Sequence, residues 1–166
     1  MVPHEPDRSI GAEETFSTDV DDPQLVRREL LRLSERVGAR LRAQAYRGRT
    51  VTLKVRFADF TTITRSRTLR DPTDVTRDIY VTVLTLHEAL ALDRARLRLV
   101  GVRVEGLVEA SQAEQQLLLG APEHGWPDAD AAVDRAARRF GRGAVRPAAL
   151  VSRWSDDPVH RPAAGP

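Results

Sequence analysis

The sequence predicts an α+β domain: a four-stranded sheet with two helices packed on one face, in the order βαββαβ. Three observations predict it. Four stretches alternate apolar and polar residues with the period of a strand, and two repeat apolar residues every three or four positions, the period of a helix. Each helical stretch opens on an Asp-Pro pair, Asp22-Pro23 or Asp71-Pro72, suited to a helix start. The chain has 166 residues and is 41% hydrophobic, enough for one core with some chain to spare.

Residues 1–7 hold two prolines and read as the end of a linker. Ser9 to Phe16 alternates, with Ile10, Ala12 and Phe16 on one side and Ser9, Gly11, Glu13 and Thr15 on the other, predicting a first strand. Asp21 and Asp22 then offer N-caps, and Pro23 suits the first turn. Val26, Leu30, Leu33, Val37 and Leu41 form one apolar stripe as far as Ala43, opposite Arg28, Arg32, Glu35, Arg36 and Arg42. Tyr46-Arg47-Gly48-Arg49 breaks this helix. From Thr50 a strand sends Val51, Leu53, Val55 and Phe57 one way and Thr52, Lys54 and Arg56 the other. Ala58-Asp59-Phe60 is a short connection, and Thr61 to Leu69 returns as the second arm of a hairpin. Asp71-Pro72-Thr73-Asp74 starts a second helix, with Val75, Ile79, Val83, Leu86 and Leu90 on its apolar side. Arg96 to Leu107 alternates again, with Leu97, Leu99 or Val100, Val102 and Val104 as the core set.

Composition removes several classes of function. Without Cys there is no disulfide framework, no thiolate nucleophile and no Cys-based zinc site. His4, His87, His124 and His160 are scattered without ligand spacing. The acidic pairs Glu13-Glu14, Asp21-Asp22 and Asp156-Asp157 sit at strand, cap and tail positions, so no catalytic or metal-ligating set is expected. No apolar run approaches the roughly 20 residues that span a bilayer, and MVPHEPDRSIG has no apolar signal core. A cytoplasmic protein with no membrane partner is expected.

The net charge of +2, from 26 basic and 24 acidic side chains, hides an asymmetry. Residues 27–70 carry 13 basic side chains against Glu29, Glu35 and Asp59, a net of +10, and the remainder is −8. Of the 26 basic residues 25 are Arg, with Lys54 the single lysine, an abundance that GC-rich codon usage also produces. With both helices on one face of the sheet, the other face would show Ser9, Gly11, Thr15, Thr52, Lys54, Arg56, Thr62, Thr64, Ser66 and Arg103, hydroxyls and cations with no large apolar side chain. Hydroxyls, backbone N–H groups and guanidinium forks bind phosphate oxygens. A solvated sheet face has the same composition, and charge density alone does not choose between the two.

Longer motifs carry a resemblance. Arg8-Ser9-Ile10-Gly11-Ala12-Glu13-Glu14-Thr15-Phe16, followed by Asp22-Pro23, resembles the opening of the little finger domain of Y-family DNA polymerases, the bacterial DNA polymerase IV branch above all. The stretch from Gly48 to Leu69 resembles that domain's hairpin, and Leu99-Val100-Gly101-Val102-Arg103-Val104 its last strand. The resemblance covers residues 8–108. It implies that the open face docks in the DNA major groove and holds template and primer backbones without reading bases. Ser9 and Gly11 would serve there as hydroxyl and backbone donors, and Thr62, Thr64, Arg65, Ser66 and Arg67 likewise, beside Lys54, Arg56 and Arg103. Simple alternation cannot send both Arg65 and Ser66 to one face, so a bulge or arginines reaching round the edge would be needed.

The palm carboxylates that hold two magnesium ions in that family have no counterpart in this chain, so it would not polymerise DNA; magnesium would belong to the parent polymerase. Gln116-Leu117-Leu118-Leu119 fits the first four places of the family's sliding-clamp motif, Gln-Leu-any-Leu-Phe, and Gly120 stands where the aromatic anchor would be. The three leucines either bind a clamp or pack back on the domain. The partners so implied are primer–template DNA, the bacterial sliding clamp and the catalytic core of the same polymerase. An RNA-binding α/β domain is the alternative, although RNA-stacking modules place aromatics on the sheet and the expected open face has none; a small nuclease lacks an acid–base pair. The organisation reads as linker end 1–7, DNA-binding domain 8–108, linker with a degenerate clamp motif 109–127, a short helical segment 128–151 and a disordered tail 152–166.

Overall fold

A computed structural model describes residues 8–117, 126–141, 143 and 145. The elements are β1 (Ile10–Val20), α1 (Pro23–Ala43), β2 (Tyr46–Phe57), β3 (Thr62–Thr73), α2 (Thr76–Ala89), β4 (Leu97–Glu109), α3 (Ala110–Leu117) and α4 (Trp126–Phe140). The strands form one antiparallel sheet in the order β1-β4-β2-β3. The α+β architecture, with α1 and α2 against one face, is the one the periodicities predict. Helix α1 packs on β1, β4 and β2, and α2 on β2, β3 and α1.

The core lies between helices and sheet. Val26, Leu30, Leu33, Val37 and Leu41 of α1 meet Val51, Leu53 and Val55 of β2 and Val100, Val102 and Val104 of β4, with Ile79 and Val83 of α2 closing the side. Each such side chain contributes about 1.5–3 kcal/mol by leaving water. Asp22 caps α1, its Oδ1 accepting the Gln24 N–H at 2.9 Å.

Three boundaries differ from the sequence reading. The second helix starts at Thr76, because β3 continues past a bulge to pair Thr73 with Gly48, and Pro72 is tolerated on this edge strand. In β4 two residues, Leu97 and Arg98, face Phe57 across a shift of register. That extra residue turns Val100 into the core and Leu99 onto the opposite face, which settles the alternative left open above. Within 109–127, read as linker, Ala110–Leu117 form α3, tied to the domain by the Ala110 N–H to the Ala45 carbonyl (2.8 Å) and by buried Ala113. Residues 1–7, 118–125 and 146–166 lie outside the described residues, and with them Leu118, Leu119, Gly120 and the tail.

Candidate nucleic-acid interface

The face away from the helices is built as four rows across the strands in the order β1, β4, β2, β3. Pairing places Thr15, Leu99, Arg56 and Thr62 in one row, and Glu13, Gly101, Lys54 and Thr64 in the next. Gly11, Arg103, Thr52 and Ser66 form the third, while Glu105, Thr50 and Thr68 form a fourth without β1. Directly paired residues in antiparallel strands share a face, so the register alone assembles the surface.

Each row has its own chemistry. Arg56 Nε donates to Thr62 Oγ1 at 2.9 Å and has no ion-pair partner among the described residues. Lys54 Nζ reaches Glu13 Oε2 at 3.2 Å across Gly101, where a Cβ would stand 3.2 Å from the Glu13 Cβ and 3.5 Å from the Lys54 Cβ. Glycine at this position is what leaves room for the bridge. Thr52 and Ser66 share a hydrogen bond of 2.8 Å, and Thr50 and Thr68 one of 3.2 Å. Arg103 Nε lies 2.7 Å from Glu105 Oε1. Three cations and two carboxylates thus leave the four rows a single excess positive charge.

Gly11, Lys54, Arg56, Thr62, Thr64, Ser66 and Arg103 therefore lie together on this face, and Ser9 stands exposed just before β1. Arg65 and Arg67 do not join them. They pair with Leu53 and Val51, the core-side residues of β2, and the ladder runs from Thr50–Thr68 to Arg56–Thr62 without a bulge. Both are exposed on the outer strand, and Arg65 Nη1 turns back to the Thr64 carbonyl at 2.8 Å. The expected inventory also needs correction for what it left out. Leu99 sits on this face at 4% exposure, and Glu13 and Glu105 are on it. Glu13 was visible as the residue between Gly11 and Thr15 in the alternation; Leu99 was hidden by the bulge.

Past the far end of the rows, the hairpin tip holds Phe60 at φ 68°, 64% exposed, with the Arg98 guanidinium 4.4 Å from its ring centre. The Thr61 N–H donates to Asp59 Oδ1 at 2.9 Å and holds that carboxyl below its usual pKa. Among the described residues no cluster of three or more His, Asp or Glu is placed to hold a metal ion. None of the described helices is long and apolar enough to cross a membrane.

Residues 7–119 match the impB/mucB/samB family C-terminal domain, more than half of the chain. The chain belongs to that family. The resemblance to the little finger of a bacterial DNA polymerase IV, drawn from the motifs, is thereby borne out. A DNA polymerase IV of Desulfatibacillum aliphaticivorans is 40% identical over 147 residues, 87% of this chain and 37% of that protein. One of Dehalococcoides mccartyi is 35% identical over 140 residues, 84% of this chain and 35% of that protein. The chain so spans about a third of the length of these relatives. Among solved structures, an insertion ternary complex of Dbh DNA polymerase shares the fold at 12% identity, over 61% of this chain and 29% of that one, with a TM-score of 0.54.

Proposed function

We propose that the four-row face holds the sugar–phosphate backbones of primer–template DNA, as the non-catalytic little finger of a translesion DNA polymerase IV. The observation that carries this reading is the face's composition by register: hydroxyls, a glycine backbone and arginine forks in adjacent rows, with no aromatic or amide positioned to read bases. Phosphoryl transfer and its magnesium ions would belong to the separate catalytic core of that polymerase. The absence of aromatics from all four rows favours DNA backbone over stacked single-stranded RNA.

A salt titration tests it. Anisotropy of labelled primer–template DNA should show log affinity falling by about 0.9 per neutralised phosphate for each decade of salt. Arg56→Ala should weaken binding and make that slope shallower by about 0.9. A salt-independent affinity, or equal loss of RNA and DNA binding, would sink the reading.

Tethering to a sliding clamp through Gln116, Leu117, Leu118, Leu119 and Gly120 is the second part of the proposal, supported by the Gln-Leu spacing at the end of α3. Leu117→Ala combined with Leu119→Ala should abolish clamp binding in calorimetry; unchanged affinity would refute it.

A further inference from the structure

Along helix α4 the acids Asp128, Asp130 and Asp134 precede the arginines Arg135, Arg138 and Arg139. Asp130 and Asp134, one turn apart, face the sheet domain. Arg42 donates from Nε to Asp134 Oδ2 (2.6 Å), from Nη2 to Asp134 Oδ1 (3.1 Å) and from Nη1 to Asp130 Oδ2 (3.2 Å). Asp130 Oδ2 also accepts the Thr76 backbone N–H at 2.9 Å, serving the first turn of α2, whose own cap residue Val75 has no side-chain acceptor. Arg77 lies 4.6 Å over the Trp126 ring at the helix start. These contacts fix which side of α4 looks outward.

On the remaining surface Arg135, Arg138 and Arg139 are spaced i, i+3, i+4, so they share one face, and all three are exposed. Among the described residues neither Arg135 nor Arg138 has an ion-pair partner, and Arg139 lies 5.4 Å over the Phe140 ring. Compensation of the helix dipole explains cations in a last turn. It does not explain a sequence that runs from 135 to 155 with six arginines and no acid. The four-row face, by contrast, spends Lys54 and Arg103 on Glu13 and Glu105.

We infer that α4 is a second phosphate-binding surface: docked through its carboxylates, it holds the Arg135, Arg138 and Arg139 face outward against DNA backbone beyond the sheet. Guanidinium forks suit phosphate oxygens, and a contact to phosphate carries no sequence information, so this contact adds affinity and no sequence preference. The inference rests on the DNA-binding reading above.

The test uses the full chain, labelled primer–template DNA and a salt series. Simultaneous Arg→Ala changes at 135, 138 and 139 should make the salt slope shallower by about 2–3, which is 0.9 for each phosphate released. Arg→Lys changes at the same three positions should restore it. A triple-Ala protein with the wild-type slope would overturn the inference and leave the sheet reading standing. A triple-Lys protein as shallow as triple-Ala would overturn it too, since charge would then not be the cause. Wild-type protein without salt-dependent binding would instead overturn the DNA reading itself.

Discussion

Glu13 is the residue whose role depends most on its neighbours. Its carboxylate neutralises Lys54 over the gap that Gly101 leaves, with both partners about half exposed (side-chain exposures of 55% and 36%), so the bridge holds little stability, on the order of 0–1 kcal/mol. What it does change is the charge that a phosphate meets. Glu13→Gln should therefore leave unfolding free energy within about 0.5 kcal/mol of wild type. It should also tighten DNA binding at low salt and steepen the salt slope by about 0.9, as Lys54 becomes available to one more phosphate. Anisotropy titrations of the two proteins at several salt concentrations read both changes; identical slopes would show that Lys54 never reaches the backbone. Arg65 and Arg67 stand apart from these rows, since the β2–β3 register turns them from the hydroxyls and any DNA contact would come round the strand edge.

At the scale of elements, periodicity made the strand and helix order legible, and with it the core stripe of α1 and most of the open face. Alternation carried because β2 pairs without interruption from Thr50 to Arg56 on both sides. It stopped carrying at the bulges, where an inserted residue reverses the sides that follow: alternation left the core place open between Leu99 and Val100 until the β4 bulge gave it to Val100, and β3 ran on to Thr73 before α2 could begin. The docking of α4 was not legible either, because it depends on Arg42, Asp130 and Asp134, residues 88–92 positions apart in sequence that only the fold brings together. Gly48 marks the point where β2 meets both neighbours. A Cβ there would collide with Val104 Cγ1 and stand 2.9 Å from Leu107 Cδ2, and Val104 is fully buried. Gly48→Ala should thus destabilise by about 1–3 kcal/mol, the usual range for an overfilled core. Denaturant unfolding measures it, with the midpoint falling and the slope unchanged; a midpoint at the wild-type value would mean that β4 shifts freely against β2.

For the whole molecule, two half-buried groups pull the pH dependence of stability in opposite directions. Burial raises the Asp130 pKa against its Thr76 hydrogen bond and the Arg42 charge, so its contribution is complete below the ordinary carboxylate range and is lost as pH rises through the raised value. His87, in the last turn of α2, behaves the other way. A helix C-terminus favours a charged imidazole, yet burial lowers the pKa, and the Arg27 charge adds to this while Glu88 opposes it. Arg27 and Glu88 are themselves joined at 3.0 Å across α1 and α2, so the His87 environment spans the helix layer. The unfolded chain takes up the proton first, near the ordinary histidine value of about 6.5. Stability from His87 is therefore present above that pH and is lost as pH falls toward the depressed folded value. Between about pH 7 and 6, above the carboxylate range, His87 sets the slope, and Asp130 opposes it only toward lower pH. Chemical denaturation should show stability declining on acidification through this window, and His87→Gln should flatten the decline while leaving stability at pH 8 close to wild type. An equally steep decline in the variant would assign the slope to a different group.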